Sequence, residues 1–286
     1  MWAVVLPQEI VDSIIELCRD STDDLKNCSL VSTSWTLVSR RHLFHTISLG
    51  VADRFRTQEG TLSGTQPFLQ QFQQLDEFLE QAPYIAEKCI RCVKLRFNSY
   101  SEPPNTLDFG GGAGLLLDKV LARLARVEEF DLSLGDWASY PREIKHTIYA
   151  AIRQPFVSRL SILSSKFKSF PDLASLFIHS PGLKHLSVAN LALHESATKL
   201  EDTSHLPVVY LDYLRIDTYL PYLVPAFSDT AFPIKVDRLR QLRLNLAVKG
   251  NVSELIEQLI KKTGASLLHL ELSDTVYQGE LDQIYL

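Results

Sequence analysis

The chain has 286 residues, 45% hydrophobic and 22% charged, enough to bury a large core and too apolar for a disordered or fibrous protein. Its 29 Lys and Arg against 34 Asp and Glu leave a formal net charge of −5, so no global positive field gathers phosphate backbones and no nucleic-acid partner is expected. Four cysteines (Cys18, Cys28, Cys89, Cys92) are too sparse for a disulfide scaffold and suit a reducing compartment. Met1 to Leu6 lacks the length and basic flank of a signal peptide, and no stretch approaches the roughly 18 apolar residues of a membrane span. The expectation is a cytoplasmic and/or nuclear protein with no membrane partner.

The first fifty residues carry three helical patterns. Pro7 suits the first position of a helix whose Ile10, Ile14 and Leu17 share one face, with Val11, Ile15 and Cys18 beside them. Ser21 with Asp24 reads as the cap of a second helix bearing Leu25, Cys28 and Val31, and Ser32-Thr33-Ser34 can cap a third beginning near Trp35. Such a small unit sits near the lower size limit for independent folding, and its apolar surface predicts docking. Each apolar residue in it suits internal packing or an interface equally. Residues 50–67, with Gly50, Gly60, Gly64 and Pro67, read as a polar connection. Leu69-Phe72-Leu75-Leu79 then opens a helix expected to cap the repeats that come after it.

From there a pattern recurs: apolar, two others, apolar, one other, apolar. Its clearest copies are Leu183-Leu186-Val188, Leu211-Leu214-Ile216, Leu239-Leu242-Leu244 and Leu267-Leu270-Leu272, whose starts lie 28 residues apart. Looser copies stand at Val157-Leu160-Ile162, Val127-Phe130-Leu132, Ile90-Val93-Leu95 and Phe44-Ile47-Leu49. This is the signature of a leucine-rich repeat, here in degenerate form, with the later apolar residues on a short strand. Several spacers have helical spacing: Leu116 to Leu124, Ile144-Ile148-Ile152, Leu173-Leu176-Phe177 and Leu255 to Ile260, the last with Asn251 and Glu254 as a capping box. No spacer shows a second strand run, and Pro221 and Pro225 make the Leu220 to Phe227 connection irregular. Strand then helix, repeated with right-handed crossovers, predicts an α/β solenoid with a curved parallel sheet backed by helices. Beyond the last strand, Leu281, Ile284 and Leu286 are expected to cover its open edge.

Patterns that could carry chemistry fall short. Cys89-Ile90-Arg91-Cys92 has the spacing of half a zinc site, but no second cysteine pair follows. Gly110 to Gly114 lacks the Gly-Lys-Ser/Thr ending of a phosphate loop, and His194-Glu195 has Thr198 where a zincin needs its second histidine. No nucleophile elbow occurs. No catalytic residue, metal or cofactor is expected.

Leu6-Pro7-x-Glu9-Ile10, Ile14 and Leu17, Leu25-x-x-Cys28-Ser29-Leu30-Val31-Ser32-x-x-Trp35 and His42-Leu43-Phe44 together resemble an F-box, most closely the F-box-like version abundant in fungi. The match covers about forty residues, and its most specific part is Leu-Pro with Val-Ser-x-x-Trp at this separation. Members of that family bind the Skp-type adaptor of cullin-RING ubiquitin ligases through the F-box and hold a protein substrate with a following repeat domain. The resemblance implies adaptor contacts by Leu6, Pro7, Ile10, Ile14, Leu25, Cys28, Val31 and Trp35. Together with the repeat pattern, the expected organisation is a three-helix F-box over residues 1–49, a connecting loop over 50–67 and a leucine-rich-repeat-like domain over 68–286. The function implied is non-enzymatic substrate recognition in a Skp-cullin-F-box type ligase, with a non-degradative interaction scaffold as the alternative.

If the motif residues point to the helices, the residues between them line the opposite, open face in rows about 4.8 Å apart from strand to strand. One row reads Cys92, Glu129, Arg159, His185, Tyr213, Gln241 and His269. The target contacts are expected at Tyr213, Arg215, Asp217, Gln241, Arg243, Asn245, His269 and Glu271, where the register is strictest. Arg215 beside Arg243, partly offset by Asp217 and Glu271, would keep donors for an acidic group on the target.

Overall fold

The computed structural model describes residues 6–50, 68–97, 112–194, 206–217, 223, 225–227, 232–245 and 252–273. Three helices open the chain: α1 (Gln8–Leu17), α2 (Thr22–Cys28) and α3 (Thr33–Leu43). Pro7 is the N-cap of α1 rather than its first helical residue, because its ψ of 145° is extended while its carbonyl accepts from the amides of Ile10 and Val11. Ser21 Oγ accepts from the Asp24 amide at 3.3 Å, as the cap pattern predicts. α3 begins two residues before Trp35. Its N-cap Ser32 makes no side-chain cap, and Thr36 Oγ1 instead fixes the α2–α3 turn, 2.6 Å from the Ser29 carbonyl. Val11, Ile15, Leu25 and Val38 form a separate small core, with Cys18, Cys28, Trp35 and Leu43 packed against it.

Among the described residues, the remainder is built on a large sheet of eight parallel strands. β1 (Thr46–Gly50), β2 (Cys92–Arg96), β3 (Glu129–Asp136), β4 (Arg159–Phe167) and β5 (His185–Leu193) are followed by a two-residue strand, β6 (Val209–Tyr210), and by β7 (Tyr213–Ile216). Another two-residue strand, β8 (Ile234–Lys235), precedes β9 (Gln241–Asn245) and β10 (His269–Ser273). The large sheet runs β1-β2-β3-β4-β5-β7-β9-β10, so each strand lies beside the next copy of the pattern in chain order. The expected order of the four 28-residue copies is thus observed, with Leu186, Leu214, Leu242 and Leu270 in register.

A shared turn explains that regularity. The His45 carbonyl accepts from the amides of Arg91 and Cys92, at 2.9 and 3.0 Å, and the Arg91 carbonyl accepts from Glu128 and Glu129. The same doubled acceptance recurs at Glu128, Ser158, Lys184, Asp212 and Arg240. Each strand therefore starts at the same height as its predecessor, and the apolar phase is locked across the sheet.

Helices α4 (Phe68–Gln81), α5 (Pro83–Lys88), α6 (Ala113–Arg123), α7 (Arg142–Ile152), α8 (Phe170–Ala174) and α9 (Val252–Thr263) occupy the spacers. Their inward residues, Phe72, Leu117, Val120, Ile148, Leu173 and Leu259 among them, share one core with the motif residues Val93, Phe130, Leu160, Leu186, Leu214 and Leu242. That is the physical reason for strand and helix periods alternating in one chain. Asp76 of α4 is buried and bonded to Lys119 Nζ at 2.5 Å and Arg123 Nε at 2.9 Å, which ties α4 to α6.

Several expectations are corrected or left open. The spacers around β7 do contain strand: β6 and β8 pair in parallel, with the Val209 amide donating to the Pro233 carbonyl at 2.9 Å. β1 is a sheet strand, so the sheet begins at Thr46 while the helical unit ends near Phe44. In β10 the motif leucines are not buried: Leu270 is 40% and Leu272 48% exposed, because only β9 flanks this strand among the described residues. The cover expected from Leu281, Ile284 and Leu286 lies outside the described residues, as do Asn251, Pro221 and Glu195. Leu223 and residues 225–227 are helical.

Gly50 ends β1 at φ +124°, and a Cβ there would stand 1.8 Å from the Arg96 carbonyl oxygen. Only glycine fits that close parallel pairing.

Candidate functional site

Two surfaces collect the residues singled out by the sequence. On the helical unit, Leu6 (42% exposed), Pro7, Ile10 (47%) and Val31 are exposed and Ile14 is half-buried. Leu25 belongs to the small core at 2% exposure, and Cys28 and Trp35 pack against it, so these three serve the unit's interior first. Three residues outside the expected contact set share the exposure: Leu17 at 88%, Leu30 at 83% and Leu37 at 45%. Helical spacing sets Leu17 on one face with Ile10 and Ile14, yet the buried stripe of α1 is Val11 and Ile15. The seven exposed side chains are apolar surface that folding alone leaves uncompensated.

The second surface is the open face of the sheet. The expected row is present: Cys92, Glu129, Arg159, His185, Tyr213, Gln241 and His269 are successive register partners. Arg215, Arg243 and Glu271 align one step along, at Arg215↔Arg243 and Arg243↔Glu271. His185 stacks on Tyr213 with ring centroids 5.8 Å apart, and burial together with Arg159 pulls the imidazole below its ordinary pKa, toward the neutral form. Gln241 and His269 are exposed, and Tyr213, Arg215, Arg243 and Glu271 are half-buried.

Asp217 and Asn245 are different, at 4% exposure each, and present little to a partner. The electrostatics also differ from the expectation of free guanidinium donors. Arg215 Nε meets Asp217 Oδ2 at 2.8 Å, and Arg243 meets Glu271 Oε1 at 3.0 Å. Arg159 pairs with Glu129 at 3.7 Å, and Asp131 lies 3.5 Å from Arg96. Burial raises the Asp131 carboxyl above its ordinary pKa, against the pull of Arg96 and Lys94. The face is thus charge-compensated strand by strand. Its uncompensated centre is neutral: the His185–Tyr213 stack with the half-buried Ser161 and Ser187.

Cys89, at the C-cap of α5, and Cys92, opening β2, are buried thiols, and burial pushes Cys92 up to about 11. Among the described residues, no three His, Cys, Asp or Glu side chains gather closely enough to hold a metal, and no helix is long and apolar enough to cross a membrane.

Comparison of the chain with protein-family models and with curated protein sequences found no match.

Proposed function

We propose that this chain is a substrate-recognition subunit of a Skp-cullin-F-box type ubiquitin ligase, docking the adaptor through its three N-terminal helices and a target protein through the open sheet face. The observation that carries this reading is the exposed apolar set Leu6, Pro7, Ile10, Leu17, Leu30, Val31 and Leu37 on a unit that already has its own core. That surface needs no further packing to fold the unit, and its place at the motif that resembles an F-box supports an adaptor as the partner. The target face belongs to degenerate leucine-rich repeats on this reading. The chain works by proximity, holding adaptor and target at fixed separation while catalysis takes place on other subunits.

The test is co-purification of a Skp-type adaptor with the full chain and with an Ile10→Glu, Val31→Glu variant, followed by ubiquitin transfer in a reconstituted cullin-RING ligase. Capture by the parent alone supports the docking surface, and equal capture by the folded variant overturns it. Capture without transfer to any co-purifying protein gives the scaffold reading instead.

A further inference from the structure

Where the helical unit meets the sheet, Arg41, His45, Lys88, Cys89, Arg91 and Arg126 line one open cleft of about 450 Å3. They come from three stretches far apart in sequence: the end of α3 with the residue before β1, the end of α5 with the turn into β2, and the α6–β3 turn. Arg91 is committed. It donates to the carbonyls of Glu87, Lys88 and Ile90 at 2.8–3.3 Å and lies 3.4 Å from Glu128. Arg41, Lys88 and Arg126 are not: all three are exposed, and among the described residues none has an ion pair or a side-chain hydrogen bond.

This differs from two other charged surfaces of the molecule. On the open face and at the α4–α6 junction the cations Arg96, Arg123, Arg159, Arg215 and Arg243 each hold a carboxylate. Cations in the last turns of α3 and α5 complement those helix ends. That account does not reach Arg126, which lies beyond α6 in a turn, and the α5 carbonyls are already served by Arg91. Like charges collected around one cleft repel unless an anion joins them. The floor is the neutral thiol of Cys89, at 1% exposure, which brings no competing charge.

We propose that this cleft binds a diphosphate group. A diphosphate carries about three negative charges near neutral pH, which answer the three free cations Arg41, Lys88 and Arg126. The guanidinium groups of Arg41 and Arg126 bind oxyanions through paired N–H donors, and Lys88 supplies a mobile point charge. The volume, against roughly 30 Å3 for one water in the liquid, admits all the heavy atoms of a diphosphate. A diphosphate can arrive free or borne by a nucleoside. The proposal is independent of adaptor binding.

The test is calorimetric titration of the full chain at physiological ionic strength with inorganic pyrophosphate, orthophosphate, ADP and hexaglutamate. Saturable pyrophosphate binding is expected, weakened about tenfold or more in a Lys88→Ala, Arg126→Ala variant with unchanged circular dichroism, and also about tenfold tighter than orthophosphate. ADP binding tighter than pyrophosphate assigns the group to a nucleoside, and equal or weaker binding assigns it to the free ion. No saturable pyrophosphate binding, equal affinity in the folded variant, or hexaglutamate binding as tightly as pyrophosphate overturns the proposal. Should the double variant misfold, Arg41→Gln alone must weaken pyrophosphate binding for the proposal to stand.

Discussion

Arg215 and Asp217, two residues apart at the end of β7, are bound to each other, guanidinium Nε to carboxylate Oδ2 at 2.8 Å, with the Asp217 side chain 3% exposed. A carboxylate buried to that degree depends on its cation. Arg215 is thus a structural partner of the sheet as much as a residue displayed on it.

Arg215→Glu therefore lowers stability, by about 2–4 kcal/mol, because it sets two carboxylates together at a buried site. The measurement is a urea midpoint at pH 7. An unchanged midpoint would show the pair to be dispensable. Target recognition is better probed at Gln241 and His269, whose exposed side chains are replaceable at little cost to the fold.

In the helical unit, Leu25→Ala costs about 2–4 kcal/mol, as expected of a leucine in a small core, while Leu17→Ala and Leu30→Ala stay within about 0.5 kcal/mol of the parent. Thermal unfolding of the three variants separates interior from displayed residues. On the proposed function, the two neutral variants lose adaptor affinity nonetheless.

Along the sheet, Leu214→Ala is expected to cost about 3 kcal/mol and Leu270→Ala about 1 kcal/mol or less. The two leucines hold the same place in the repeat, but the first is fully buried and the second 40% exposed. Equal losses in denaturant titration would mean that β10 is covered.

Asp76 and Asp131 respond to acid in opposite senses. The hydrogen bond from Lys119 holds the Asp76 carboxyl below its ordinary pKa, so its contribution is complete above the unfolded value and is lost as pH falls through the lowered folded one. Burial holds Asp131 above its ordinary value, so its ionisation opposes folding at neutral pH and that penalty lifts as pH falls. Asp76→Asn should lower the melting temperature at pH 7 and flatten the acid limb of the stability profile. Asp131→Asn should leave the melting temperature at pH 7 unchanged or raise it. A lower melting temperature for Asp131→Asn would show that its attraction to Arg96 outweighs desolvation.

Gly50→Ala should destabilise the β1–β2 edge, since the added methyl meets the Arg96 carbonyl and φ is positive. Faster amide exchange at residues 46–50 with β4 unaffected is the expected signature.

The α/β class, the parallel order of the strands and their mutual register are set by local periodicity, because an apolar residue every second position on one side of a strand leaves one way to bury all of them together. The alternation of Leu186 and Val188 with His185 and Ser187 already specifies which side faces the helices. Three helices with a cap at Ser21 are legible for the same reason. What the sequence leaves open is every decision made by neighbours. Whether Leu25 is interior and Leu17 displayed depends on how α1 and α2 meet α3. Whether Arg215 is free or paired depends on a carboxylate sinking beside it. The pairing of β6 with β8 depends on segments on either side of β7, Val209 and Ile234 among them, meeting across the chain between them. The cleft of Arg41, Lys88 and Arg126 exists only because the first helical unit is set against the starts of β2 and β3, and charges drawn from positions so far apart show no pattern along the chain. Periodicity encodes which face a residue takes. Packing between elements decides what that face touches.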